Sequence, residues 1–235
     1  MRSSTRCTVL AAAGAALALT LIGCESTPPA SAEGAALAAT SPVNQRQARQ
    51  QAEWAEAIAG LDFDSGLVRV QRPPRRSDVV AARQFLEQGE ADLAFNRKIP
   101  AARAFAQAVQ AAPDMVEPYL GLGRAMTLKG NTNLAAASYR TALELDPNLV
   151  HARVELAHCM ARDAEYDHAI AHMQQVLGLD PEYAPAHERL AVWHYYRGDY
   201  AEAWDHVHAA RDLGHDMPGQ FMNLLTAQMP DPAAG

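Results

Sequence analysis

Small, bulky and helix-ending residues recur along the chain with a fixed period of 34 residues. The clearest markers are three prolines at that spacing: Pro113, Pro147 and Pro181. A bulky hydrophobic residue stands eight positions before each proline: Phe105, Tyr139 and Met173. A period of this length indicates a repeat architecture in which each unit packs on the next. A fourth unit follows at the same spacing, with His215 where its proline would stand.

The small residues of each unit predict a pair of closely packed helices. One set lies twenty-four positions before the proline: Gly89, Gly123, Ala157 and Ala191. A second set lies twelve positions before it: Ala101, Ala135, Ala169 and Ala203. Small side chains at both sets let the two helices approach, and proline ends the second helix because it cannot occupy a helix interior. Gly130 and Gly198 stand where the turn inside a pair is expected.

These residues resemble the tetratricopeptide repeat (TPR) family, which has a 34-residue helix–turn–helix signature. Repeat 2 fits the signature best: Tyr119, Leu122, Gly123, Ala135, Tyr139, Ala142 and Pro147. The resemblance implies an all-α TPR helix-turn-helix solenoid over residues 78–217. Its four units are 82–115, 116–149, 150–183 and 184–217. The other repeats depart from the signature at Asp92, Arg153 and His187, where apolar or aromatic residues are usual.

Residues 218–235 are predicted to form a capping helix and a tail. Pro218 can begin this helix. Its apolar residues, by their i, i+3 and i+4 spacing, would share one face: Phe221, Leu224 and Leu225. A repeat stack needs such a cap for solubility because its last unit otherwise exposes an apolar surface. The tail from Pro230 is expected to be disordered.

Residues 1–23 have the pattern of an export signal. Arg2 and Arg6 precede an uncharged stretch that ends in the sequence LIGC at residues 21–24. This ending resembles the lipobox of bacterial lipoproteins, which implies lipidation of Cys24 and anchoring to the cell membrane or outer membrane. An ordinary secretory signal with an incidental cysteine is the alternative interpretation.

Between the signal and the repeats, a disordered tether is predicted over residues 24–43, and a weak helix with an Arg- and Pro-rich linker over 44–77. The tether is mainly Ala, Ser, Thr, Pro and Gly, a composition that disfavours folding. Trp54, Ile58 and Leu61 share the spacing of a helix face. The linker has four clustered arginines, which form either a solvated surface or a docking patch for lipid headgroups or an acidic partner: Arg69, Arg72, Arg75 and Arg76.

Composition and charge exclude several function classes. Hydrophobic residues make up 49% of the chain and aromatic residues 6%, and the formal net charge is -7. An acidic chain of this kind lacks the extended basic surface of a nucleic-acid binder. The nucleotide-binding and serine-nucleophile motifs are absent from the sequence, so neither catalysis nor a cofactor is expected. After cleavage of the signal, Cys159 would be the remaining free thiol, and it is expected to be a small buried residue.

All nine histidines lie between His151 and His215, in the C-terminal part of the chain. His168 and His172 are one helical turn apart, and His206 has the repeat position of His172 one unit later. Imidazole sets of this kind can bind zinc or copper. The alternative, which the sequence favours, is that these histidines are ordinary polar residues of helix surfaces and hold no metal.

The TPR resemblance also implies that the first helices line a concave groove that holds protein partners. The groove positions fall on residues that are polar at first and aromatic in repeat 4: Arg83, Glu90, Glu117, Arg124, His151, His158, Arg162, Glu188, Tyr195 and Tyr196. Aromatic and arginine side chains are favoured binding anchors. Whether residues 44–61 fold back into this groove is left open by the sequence.

These observations predict a membrane-anchored, periplasm-facing TPR lipoprotein that acts as a protein–protein interaction scaffold or adaptor in the bacterial envelope. Analogy of fold and anchor favours the assembly of a pilus, secretion or other envelope complex as its narrower role. The alternative function is a periplasmic metal-binding or metal-sensing protein that uses the C-terminal histidines.

Overall fold

The computed structural model of the chain describes residues 42–63 and 66–233. The predicted signal peptide, Cys24 and most of the predicted tether lie outside these residues. Contacts within the chain define a compact unit that begins at Arg46, and residues 42–45 belong to a separate N-terminal unit.

The described residues form ten helices and one two-stranded hairpin. Before the repeats lie helix α1 (Pro42–Ala57) and the antiparallel strands β1 (Leu61–Asp62) and β2 (Arg69–Val70). Four helix pairs follow: α2 (Val79–Ala94) and α3 (Lys98–Ala111), α4 (Glu117–Lys129) and α5 (Thr132–Leu145), α6 (Val150–Arg162) and α7 (Tyr166–Leu179), α8 (Ala184–Arg197) and α9 (Tyr200–Asp212). Helix α10 (Gly219–Gln228) comes last. From α2 to α9, each helix packs on the next along the chain. Below, the earlier helix of a pair is its first helix and the later one its second helix.

The turn inside every pair contains one left-handed residue at the same repeat position. Gly130 (φ 87°) and Gly198 (φ 94°) occupy this position in repeats 2 and 4, which confirms the turns predicted there. Asn96 (φ 56°) and Ala164 (φ 61°) occupy it in repeats 1 and 3. A left-handed conformation costs a residue with a Cβ roughly 1–2 kcal/mol, and only glycine and, to a lesser degree, asparagine adopt it readily. Repeat 3 therefore adopts the common turn although its alanine opposes it.

Two aromatic rings show why the first two repeats need small residues. The Phe105 ring is fully buried between α2 and α4. A Cβ atom added at Gly89 would stand 2.6 Å from this ring, and one added at Gly121 would stand 2.4 Å from it. The Tyr139 ring approaches Gly123 in the same way, at 2.6 Å. The predicted close helix approach at Gly89 and Gly123 is confirmed, and Gly121 adds a third position of this kind.

Asp92 stands where repeat 1 departs from the usual apolar residue, and it is buried with 4% of its surface exposed. Its carboxylate forms an ion pair with the guanidinium of Arg97 at 2.7 Å. The backbone N–H of Arg97 also donates to the Asp92 carbonyl, at 2.8 Å. A buried carboxylate is tolerated when it is paired in this way, so the repeat accommodates the departure.

Residues 46–77 contain the predicted helix, which is α1, and several of them also contact the second helices α3 and α5. Trp54 and Val68 are buried in the main core cluster. The Val68 N–H donates to Thr141 Oγ1 on α5 at 2.7 Å, and Gln110 on α3 donates to the carbonyl of Ala59 at 2.9 Å. The segment is therefore fixed on the second-helix side. The four linker arginines remain exposed on it.

Helix α10 caps the last repeat with a different face from the predicted one. Phe221 and Leu225 are buried in a small cluster with Trp204 of α9, whereas Leu224 is 51% exposed. The inclusion of Leu224 in the buried face was wrong, because the face of α10 that packs on the last repeat contains Met222 beside Phe221 and Leu225 instead. The tail expected to be disordered also returns to α9, where Asp231 contacts His208 Nε2 at 2.9 Å.

Cys159 is a buried free thiol, as expected. Burial raises its pKa to about 11, so the thiol stays protonated at neutral pH. Within residues 42–63 and 66–233, the helices are too short or too polar to cross a bilayer.

Candidate binding groove on the first helices

The first helices of repeats 2 to 4 form one wall of an open cavity of about 380 Å³ with several aromatic side chains, called here the aromatic cavity. Its lining residues are Thr127, Glu155, His158, Ala161, Arg162, Tyr166, Arg189, Trp193 and Tyr196. The Tyr166 and Tyr196 rings stack with their centroids 5.8 Å apart. The rings of His158 and Trp193 are nearly perpendicular, with their centroids 5.8 Å apart. These pairs hold flat apolar surfaces ready for a ligand at small cost in side-chain entropy.

A second cavity of about 450 Å³ lies beside the aromatic cavity and is called the leucine cavity. Its lining residues are Glu90, Leu93, Ala94, Arg124, Thr127, Leu128, Tyr139 and Glu155. Thr127 and Glu155 line both cavities. The two cavities are therefore adjacent along the first helices, and together they are called the groove.

Two buried polar atoms in this groove have no hydrogen-bond partner within the described part of the chain: Arg124 Nε and His158 Nε2. Arg124 does form an ion pair with Glu90, through its Nη2 atom. Burial, followed by the nearby positive charge of Arg189, lowers the pKa of His158, so its imidazole is neutral at pH 7. An unpartnered buried polar atom costs about 1–3 kcal/mol. A ligand that offers hydrogen bonds in the groove would recover this free energy.

Comparison with known proteins agrees with this architecture. Residues 116–149 match a family model described as Tetratricopeptide repeat. Similar solved structures include MamA (22% identity, covering 66% of this chain and 86% of MamA, TM-score 0.59) and YrrB (22% identity, 64% and 75%, TM-score 0.54). PilF of Pseudomonas aeruginosa is also similar (16% identity, 64% and 68%, TM-score 0.54). The fold is a tetratricopeptide-repeat solenoid. The curated proteins contain no match to the chain.

Within this TPR solenoid, half of the groove residues predicted from the sequence line the two cavities: Glu90, Arg124, His158, Arg162 and Tyr196. They occupy two repeat positions in the second half of the first helices. The other half lies outside the cavities: Arg83, Glu117, His151, Glu188 and Tyr195.

Those outside the cavities have identifiable positions. Arg83, Glu117 and His151 are exposed within the first two turns of α2, α4 and α6. Glu188 instead contacts His215 Nε2 at 2.8 Å. Tyr195 packs against Phe221 of the capping helix, with ring centroids 5.7 Å apart. The groove therefore follows the first helices beyond their first turns.

Several groove residues were missed by the sequence prediction although they share a repeat position. Leu93, Thr127 and Ala161 occupy one position in repeats 1 to 3 and line the groove. Glu155 and Arg189 share another. The 34-residue period alone would have identified both positions, had it been applied to every turn of the first helices. Trp193 had no such signal, because its position holds other residue types in the earlier repeats.

The histidines meet in a different set from the one considered for a metal. His206 lies against His187, with their Nδ1 atoms 3.0 Å apart. The ring centroids of His206 and His194 are 5.4 Å apart. His172 instead lines a cavity with Arg140 and Arg153, and His168 is exposed on α7. Among the residues that the structure describes, no group of three or more histidines, cysteines and carboxylates is arranged to hold a metal ion.

Proposed function

We propose that this protein is a non-catalytic scaffold that binds a segment of a partner protein along the groove formed by the aromatic and leucine cavities. The observation that carries the proposal is the groove itself. It joins stacked aromatic rings to aliphatic side chains and includes buried polar atoms without partners. Interface centres commonly combine aromatic and arginine side chains in this way.

The walls of the groove favour an extended peptide with an aromatic or acidic residue at one end and an aliphatic residue at the other. Arg162 and Arg189 stand beside Trp193 in the aromatic cavity, where they can pair with a carboxylate. Leu93 and Leu128 line the other end, and Leu128 is 50% exposed. YrrB, which shares the fold, is described as a TPR protein with an unusual peptide-binding site. This likeness supports a peptide ligand.

The location in the envelope is part of the same proposal and is supported by the sequence alone. The export signal and lipobox pattern at residues 1–24 would place a lipid on Cys24 and hold the protein at a membrane, facing the periplasm. A role in the assembly of a pilus, secretion or other envelope complex follows by analogy. The similarity of fold to PilF is consistent with it.

Photo-crosslinking in cells tests the groove as the partner-binding surface. A photoreactive phenylalanine is placed at Tyr196, which is 62% exposed and lines the aromatic cavity. The matched control is the same probe at Leu179, which is 48% exposed and ends the second helix α7. Adducts specific to Tyr196, lost when Arg124 and Trp193 are both replaced by alanine, support the proposal. Equal adducts at Tyr196 and Leu179 would contradict it.

The location is tested separately by labelling cells with an alkyne-bearing fatty acid. Label on the protein that disappears in the Cys24→Ser variant supports the lipid anchor. An unlabelled protein would remove the anchor and leave the groove proposal intact.

A further inference from the structure

A third cavity, of about 350 Å³, is lined by residues of α5, α6 and α7 and by Leu67 of the hairpin. We call it the hairpin cleft. Its lining residues are Leu67 of the hairpin, Arg140, Leu143 and Glu144 of α5, Arg153 and Leu156 of α6, and His172 of α7. The cleft shares none of its lining residues with the aromatic or leucine cavity.

The hairpin cleft contains buried polar atoms that the protein leaves unsatisfied. Arg153 Nε and His172 Nδ1 are both buried, and neither has a hydrogen-bond partner in the described residues. The two Nη atoms of Arg153 are bonded to the Gln175 side chain and the Pro147 carbonyl, which fix the guanidinium in place. Buried polar groups without partners are uncommon in folded proteins and call for an explanation.

The charged side chains of the cleft favour a ligand with a single negative charge. Arg140 and Arg153 contribute two positive charges, and Glu144 offsets one of them. The pKa of His172 is lowered, first by burial and then by the positive charges of Arg153, Arg140 and His168, so its ring is neutral at pH 7. The remaining charge of the lining is close to +1, which matches a monoanion better than a doubly charged phosphate.

The apolar part of the lining further restricts the chemical class of the ligand. Leu67, Leu143 and Leu156 come from three different elements and form the rest of the surface. Ligand cavities typically combine such apolar walls with a few polar groups that orient the ligand. We propose that the hairpin cleft binds a carboxylate attached to a short aliphatic chain, with its oxygens toward Arg140 and Arg153 and its chain against the leucines. Such a group is found in free aliphatic acids and at the C-terminus of a peptide that ends in leucine.

Nuclear magnetic resonance of the full chain with nitrogen-15-labelled histidine tests this proposal. Hexanoate should shift the ring signals of His172 in a saturable way, whereas neutral hexanamide should not. N-acetyl-leucine separates the two sources: tighter binding than hexanoate would identify a peptide terminus, and weaker binding a free aliphatic acid. No saturable shift with either carboxylate, or equal shifts with hexanamide, would overturn the proposal.

Two variants with opposite expected effects on the hexanoate affinity make the test independent of folding defects. Arg140→Gln should weaken hexanoate binding roughly ten- to a hundred-fold, because it removes a charged hydrogen-bond donor. Glu144→Gln should strengthen it roughly two- to five-fold, because it removes a like charge. Arg103→Gln is the control, since Arg103 is a second-helix arginine outside the cleft that pairs with Glu56. Unchanged affinity in both Arg140→Gln and Glu144→Gln would exclude the site.

Discussion

We predict that replacing glycine by alanine destabilises the protein at Gly121, which contacts the Phe105 ring, and stabilises it at Gly178, which has no close neighbour. Gly121→Ala places a methyl group 2.4 Å from two carbons of the ring, where carbon atoms normally approach to about 3.5–4.0 Å. The ring would have to move by about 1 Å. It cannot retreat freely, because the backbone at Gly89 limits it on the other side. We therefore expect the clash to remain largely unrelieved.

The typical free energies of overpacking and of helix propensity decide whether Gly121→Ala destabilises the protein. Overpacking a core costs about 1–3 kcal/mol, whereas replacing glycine by alanine within a helix gains about 0.5–1 kcal/mol. Gly121→Ala should therefore reduce the free energy of unfolding by about 1–2 kcal/mol. Gly178 lies in α7 with no atom within 4 Å of an added Cβ. Gly178→Ala should therefore stabilise the protein, by up to about 1 kcal/mol.

Thermal unfolding followed by circular dichroism measures both effects. For a domain of this size, 1 kcal/mol corresponds to about 2–4 °C in Tm. We expect a lower Tm for Gly121→Ala and a higher Tm for Gly178→Ala. Phe105→Leu should cost less in the Gly121→Ala background than in the original chain, because the smaller side chain relieves the clash. A Tm of Gly121→Ala at or above that of the original chain would refute the packing argument.

Two further predictions concern the histidines and the hairpin. Burial, followed by the charges of His187 and His194, lowers the pKa of His206 from 6.5 to about 4, so the unfolded chain takes up a proton first as the pH falls. Stability should decrease by about 2 kcal/mol between about pH 7 and about pH 5. His206→Gln should reduce this acid sensitivity in thermal unfolding, while His151→Gln, at an exposed histidine, should keep it. Thr141→Val removes the acceptor of the buried Val68 N–H and should destabilise the hairpin by about 1–3 kcal/mol. Faster proteolysis near the hairpin, with the repeats still folded, would show it; unchanged proteolysis would contradict the anchoring role of Thr141.

The repeated part of the fold was predictable because its packing constraints recur in the sequence. Gly89 and Gly123 contact aromatic rings from the second helices of their own repeats, so their small size is imposed at each period. Leu224 was assigned wrongly because helical spacing allows more than one apolar face on α10, and the face that is buried contains Met222 rather than Leu224. The hairpin had no sequence signal, because each strand has two residues and no periodic pattern.

The groove was predictable only in part, for a physical reason. The prediction chose residues by their position within the repeat. A cavity depends instead on which side chains of neighbouring repeats meet. Glu155 and Arg189 are one repeat apart and line the same cavity. Tyr195 has a suitable residue type and faces the capping helix instead. The approach of His187 to His206 also depends on how two helices rotate against each other, which the sequence does not specify.

The separate core of the capping helix has a consequence for cooperativity. Ala191 of α8 belongs to the small cluster with Trp204 and Phe221, whereas Trp193 of the same helix belongs to the main core. Neighbouring units of a repeat protein can open independently when their shared interface is weak. A ligand in the aromatic cavity would contact α6 and α8 together and would resist that opening. Occupation of the groove would thus make the last repeat unfold together with the others rather than before them.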